Sequence, residues 1–205
     1  MLHRSVYGIV TREGIEGLTV RKVSSGCGLS DPYIYQCYED IPDLLQNAYM
    51  EIDEKVANLV AEVIQTKVQK IGSREELLAS FWMIWDPYWN FLMEDPERTV
   101  FYWRYYQSAY YSVELLKQRQ QNYEVFISFF RKVGEAIGIS NQINVDVLVS
   151  NLIDDTVSQA VKIHLGYYEK ENMPEPMVYQ SVFAFCYYLI GISTAGAEKI
   201  QQNTK

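Results

Sequence analysis

The chain has 205 residues, enough for one large domain or two smaller ones sharing a core. With 48% hydrophobic and 21% charged residues it has the composition of a soluble globular protein, and no apolar run reaches the roughly 18–20 residues of a membrane span. Its net charge of −8 works against phosphate binding. The amino terminus has no signal-peptide layout. Cys27, Cys37 and Cys186 are odd in number, scattered and without metal-ligand spacing, so they read as free thiols in a reducing cytoplasm.

In chain order, the first predicted helix spans Leu2 to Glu13, with Leu2, Val6, Ile9 and Val10 on one face and Gly14 ending it. Thr19 N-caps a second helix carrying Val20 and Val23. Gly28 stops it at a position expected to need positive φ. Ser30 is the next cap, and Pro32 falls in the first turn of a third helix, where its missing N–H costs little. Ile34 and Tyr38 turn inward and leave Asp31, Tyr33, Gln36 and Cys37 exposed. This is a helix-turn-helix over residues 19–38, whose second helix enters a DNA major groove in such motifs.

A fourth helix starts at Asp40-Ile41-Pro42-Asp43 and continues to about Val68, roughly 40 Å at 1.5 Å per residue. The capping box Ser73-Arg74-Glu75-Glu76 opens a fifth, which Asp86-Pro87 is expected to kink or restart. Asp95-Pro96 starts a helix with Phe101, Tyr102, Tyr105 and Tyr106. A longer one follows over about Ser112 to Ile137, then a loop at Gly138–Asn141. Two helices close the chain, about Val145–Glu169 and Pro176–Lys199, separated by a Pro-bearing turn. The fold class is all-α, divided as 1–48 and 49–205.

Here the residues resemble a family. Gly14, Gly17, Thr19, Val23, the Cys27-Gly28-Leu29-Ser30 turn, Ile34-Tyr35, Tyr38 and Leu44-Leu45 are similar to the DNA-binding domain of TetR-type bacterial transcriptional regulators. The resemblance covers about the first fifty residues. It implies an N-terminal three-helix DNA-binding domain and a larger helical C-terminal domain for ligand binding and dimerisation. The partners it implies are double-stranded DNA bearing a palindromic operator, a small-molecule effector and a second copy of the chain; no membrane and no cofactor are expected. Thr19, Arg21, Lys22 and Tyr35 would meet phosphates. Tyr33, Gln36 and Asp31 would meet base edges, with Ser30 and Pro32 shaping the start of the recognition helix.

Two features keep an alternative open. Residues 1–48 carry four basic side chains, Arg4, Arg12, Arg21 and Lys22, against six acidic ones. Ile41 stands where the family has a phosphate-contacting Lys. The family also carries a basic arm ahead of its first helix, and this chain begins inside that helix. The alternative is a TetR-like ligand- or partner-binding protein without autonomous DNA binding.

Aromatic residues crowd the stretch from Phe81 to Tyr111. Trp82, Trp85 and Trp89 make one stripe at i, i+3 and i+7, joined by Tyr102, Trp103, Tyr106 and Tyr110. Core packing explains most of them. Buried hydroxyl and indole N–H groups need partners, however, so the cluster also suggests a partly wet or ligand-filled cavity, which the resemblance places here. Arg104 offers a charge to an anionic effector. Asp86 could hold a cation beside the rings or cap a helix ahead of Pro87. The expected effector is apolar and aromatic, and the expected regulator is a repressor that it releases.

The closing helices are apolar over much of their circumference. Leu148, Leu152, Thr156 and His164 on one, and Val182, Cys186, Leu189 and Ser193 on the other, are the expected dimer contacts; burial inside a single chain is the alternative. No catalytic set stands out. His3 and His164 lie far from any candidate nucleophile, and Asp154-Asp155 point to different sides of a helix, so no enzyme activity is expected.

Overall fold

The computed structural model describes residues 1–68, 71, 73–136 and 144–191. Among these it contains ten α-helices and no strand. They are α1 (Leu2–Glu13), α2 (Val20–Cys27), α3 (Asp31–Cys37), α4 (Ile41–Lys67), α5 (Arg74–Glu94), α6 (Pro96–Tyr106), α7 (Val113–Asn122), α8 (Glu124–Ala136), α9 (Val145–His164) and α10 (Glu175–Ile190). None of the described helices is long and apolar enough to cross a membrane.

Local chemistry sets most helix starts. The Thr19, Asp40, Ser73, Asp95 and Ser112 side chains each accept a backbone N–H from the first turn of the helix that follows. Ser73 and Glu76 complete a reciprocal capping box. Gly28 closes α2 at φ 69°, in the left-handed region as expected.

Three expectations change. α5 runs unbroken through Pro87. Proline removes one helical hydrogen bond, but Trp85, Tyr88, Trp89 and Leu92 are buried on either side and hold the helix together. Asp86 therefore caps nothing and sits half-buried in mid-helix. The helix expected over 112–137 is two, α7 and α8, with Tyr123 as the C-cap of α7. α9 ends at His164, where the Leu165 and Gly166 turn takes over, Gly166 at φ 75°. α10 closes at Ile190, with Gly191 at φ 74° as its cap. The expected loop at 138–141 and residues 192–199 of the last predicted helix, Ser193 among them, lie outside the described residues.

α1, α2 and α3 pack around Val6, Val10, Val23 and Ile34, and α4 carries the same core onward through Leu44, Ala48, Ile52, Val56 and Val60. α4, at 27 residues, is the beam joining the two ends, and the 48/49 boundary falls within it. α1 leans broadly on α6, where the Tyr7 and Phe101 rings lie 5.0 Å apart.

Candidate functional site: a helix-turn-helix face and an aromatic interior

The helix-turn-helix is built as its sequence suggests. Val23 and Ile34 are buried between its helices, and Leu29 N–H closes the turn on Ser24 O at 2.9 Å. Ser30 occupies the N-cap of α3 without a side-chain cap bond, while Ser24 Oγ and the Asp31 carboxylate bond each other across the turn. Asp31 is thus tied to α2, leaving Tyr33 (45% exposed), Tyr35 (59% exposed) and Gln36 on the open face of α3 beside Pro32.

The cations of this end are mostly engaged. Lys22 Nζ reaches Glu13 at 2.5 Å and Gly17 O at 2.9 Å. Arg4 pairs with Asp95 at 3.6 Å, and Arg12 with Glu97 at 3.7 Å. Arg21 is exposed and enters no ion pair among the described residues. The pairs have exposed cations, so each is worth at most about 1 kcal/mol and can be exchanged for phosphate.

The aromatic interior is a continuous ring assembly. Trp85 stacks on Trp89 at 5.1 Å, Trp82 lies 5.5 Å from Trp85, and Tyr179 of α10 meets Trp82 edge-on at 4.8 Å. Trp85 Nε1 donates to Thr156 Oγ1 at 3.2 Å, satisfying the indole. Between α4, α5, α8, α9 and α10 lies a cavity of about 30 Å³, lined by Val56, Val60, Phe81, Ile84, Trp85, Tyr88, Tyr123, Phe126, Phe130, Leu152, Ile153, Thr156 and Phe183. That volume holds about one water. Of the residues expected to line a ligand chamber, Trp85 alone borders this void. Trp82 and Trp89 pack behind it, Trp103 and Tyr110 are half-buried, and Tyr106 donates to Asp154 at 3.3 Å.

Arg104 is elsewhere. Its guanidinium donates to Val10 O, which also accepts the Gly14 N–H, and, at 2.9 Å, to Thr11 O, both carbonyls of the last turns of α1. It is a cation at the negative end of a helix, holding α6 to α1, and does not face the cavity.

The charged centre of the interior is one the sequence reading missed. Asp53 is fully buried on α4, and its Oδ1 accepts from Tyr102 Oη at 2.7 Å and from Arg119 Nε at 3.2 Å. The Arg119 guanidinium also lies over the Tyr106 and Tyr123 rings at 5.2 and 5.4 Å. Burial pushes the Tyr88, Tyr102 and Tyr123 phenols well up, so they remain hydrogen-bond donors. A signal was present. Asp53 interrupts the apolar register Tyr49, Ile52, Val56, Val60, and Arg119 sits between Leu115 and Tyr123 at i, i+4 spacing.

On the closing helices, Leu152, Thr156, Val182 and Cys186 are buried by other helices of the same chain, and Leu148 is half-buried. Burial pushes the Cys186 thiol up to about 12, so it is inert. His164 Nε2 bonds Leu92 O at 2.9 Å. An exposed apolar stripe lies on another face of α10, where Met177, Phe185 (55% exposed) and Tyr188 (80% exposed) flank Ser181 and Ala184.

Comparison with solved structures finds this arrangement elsewhere. A TetR family transcription regulator from Marinobacter aquaeolei matches with TM-score 0.70 at 15% identity, covering 89% of this chain and 92% of that one. A structure assigned to the same family, from a Shewanella species, matches with TM-score 0.70 at 13% identity over 91% and 94% of the two chains. A third, from Thermus thermophilus, gives 0.58 at 15% identity over 93% and 97%. No family sequence model matches the chain, and no curated protein matches it in sequence. The chain thus has the TetR-regulator fold, an N-terminal helix-turn-helix domain on a larger helical C-terminal domain.

Proposed function

We propose that this chain is a TetR-type transcriptional regulator, acting in the cytoplasm as a homodimeric repressor that a small, largely apolar effector releases from a palindromic operator. Residues 1–48 form the DNA-binding unit and residues 49–205 the effector and dimer unit. The observation that carries this reading is α3, held by the buried Ile34 and Val23, with Tyr33, Tyr35 and Gln36 on its open face. In a two-fold dimer the two α3 helices would enter successive major grooves about 34–36 Å apart, and a tilt of α4 would change that spacing.

Exposed apolar side chains on α10, chiefly Met177, Phe185 and Tyr188, supply the surface for the second copy. The effector would enter around the Trp85–Tyr123 cavity by parting walls that now leave room for one water. The test is retardation of the protein's own upstream DNA, compared with a Gln36→Ala variant. Binding that loses discrimination at one operator position on substitution supports the reading. Retardation equal for every sequence contradicts it.

A second reading has its own support. Arg4, Arg12 and Lys22 are paired within the chain, and Ile41 stands at the start of α4, so few free cations face a phosphate backbone. A ligand- or partner-binding protein without autonomous DNA binding fits those facts.

A further inference from the structure

A polar groove of about 410 Å³ opens where α1 meets α4 and α6. That is the volume of a small-metabolite pocket. His3 and Arg4 of α1 line it together with Tyr38, the C-cap of α3. Glu51 and Lys55 of α4, with Asp95 and Arg98 at the start of α6, complete the charged lining. The groove shares no lining residue with the aromatic cavity.

Its acceptors are taken, and its donors are not. Glu51 Oε1 accepts from Lys55 Nζ and Oε2 from His3 Nδ1, each at 2.5 Å. The other ring nitrogen of His3 bonds the Tyr38 hydroxyl at 2.9 Å. Asp95 Oδ1 accepts the Arg98 N–H at 3.1 Å, and Oδ2 pairs with Arg4 at 3.6 Å. Both carboxylates are thus matched oxygen by oxygen. Lys55, by contrast, spends one of its three ammonium donors on Glu51, and Arg4 is held by that single loose pair. Arg98 Nε is buried and has no hydrogen-bond partner among the described residues. Three permanent cations therefore keep spare donors beside two filled carboxylates.

We propose that this groove binds a small organic dianion, a phosphate monoester or a dicarboxylate, held by Arg4, Lys55 and Arg98. These cations stand on α1, α4 and α6, so the bound molecule ties the helix-turn-helix end to the body of the protein. Arg4 and Lys55 are exposed and give up only weak pairs to reach it. Arg98 is fixed in place, donating to Phe91 O with its guanidinium 3.7 Å over the Phe91 ring. Its counter-charge, Glu94 at 3.4 Å, is exposed and does not line the groove. A cationic ligand would meet carboxylates that are already filled. A neutral one would bring no counter-charge to the cations. Failure of this site would leave the effector reading untouched, because the aromatic cavity is built from other residues.

The experiment titrates the full chain with glycerol 3-phosphate, succinate, glycerol and 1,4-diaminobutane at matched ionic strength and about pH 8, where both acids are doubly charged. Heat of binding and melting temperature are the readouts. At least one dianion should bind and raise the melting temperature, and the tighter of the two tells a phosphate site from a carboxylate site. Glycerol and the diamine should do neither. Lys55→Gln and Arg4→Gln change exposed side chains and should each weaken the dianion about fivefold, whereas Lys117→Gln, an exposed cation of α7, should not. Glycerol or the diamine binding as well as the dianions overturns the proposal. So does dianion affinity unchanged in both groove variants, an equal loss in Lys117→Gln, or no response to either dianion.

Discussion

Burial lifts the Asp154 carboxyl above its ordinary value, while Arg119 and the Tyr106 hydroxyl pull it back down. The folded protein therefore favours the neutral acid. The stability tied to this group is fully present below the unfolded pKa and lost as pH rises through the raised folded one. Asp154→Asn keeps an acceptor for Tyr106 and removes the charge, so it should raise the melting temperature at pH 7. At about pH 3, below the ordinary carboxyl value, the gain should vanish. Calorimetry at the two pH values checks both signs. Single residues were the hardest scale to read from sequence. The pairing of Asp53 with Arg119 spans 66 positions, and the bonds from Arg104 to α1 span more than 90. Local spacing marks such residues as odd within an apolar register but does not name the partner. Arg104 went to carbonyls at the end of α1, where the helix dipole favours a cation, whereas an effector site need not hold a charge.

Helix starts were legible because they are local. Thr19, Asp40, Ser73, Asp95 and Ser112 cap where their side chains are three residues from an orphan N–H, whatever the tertiary structure does. Interruptions were not legible. Leu115, Tyr123, Phe126 and Phe130 keep helical spacing across the α7–α8 break, with no Gly or Pro to mark it, and Pro87 marked a break that burial overrode. Between elements, Arg104 joins α6 to the end of α1, the helix against which α2 packs, with α3 against α2. Arg104→Ala should destabilise the protein by about 1–2 kcal/mol, the loss of charged hydrogen bonds to partly buried carbonyls. For a chain of this size that is a fall of several degrees in melting temperature, readable by circular dichroism. An unchanged transition would show the link to be idle.

At the scale of the molecule, a dimer must be made by surface that one chain leaves open. Leu152 and Thr156 are closed inside the chain, so charge there would unfold it. Phe185→Glu with Tyr188→Glu touches only exposed positions of α10 and should give a folded monomer in sedimentation where the wild type is a dimer. A wild-type monomer at micromolar concentration would remove the two-fold geometry that operator recognition requires.

The DNA-binding claim meets its sharpest test in the salt dependence of affinity. Arg21 enters no ion pair among the described residues and Lys22 is held by an exposed pair with Glu13, so a dimer can set about four cations against phosphates. Fluorescence anisotropy on the protein's upstream DNA should then give a slope of log K against log salt near about −4. Glu13→Gln, which removes the counter-charge from Lys22 and leaves its bond to Gly17 O, should tighten binding severalfold at every salt concentration. Absence of binding to that DNA by both proteins at about 50 mM salt would contradict the account and leave the DNA-independent reading standing.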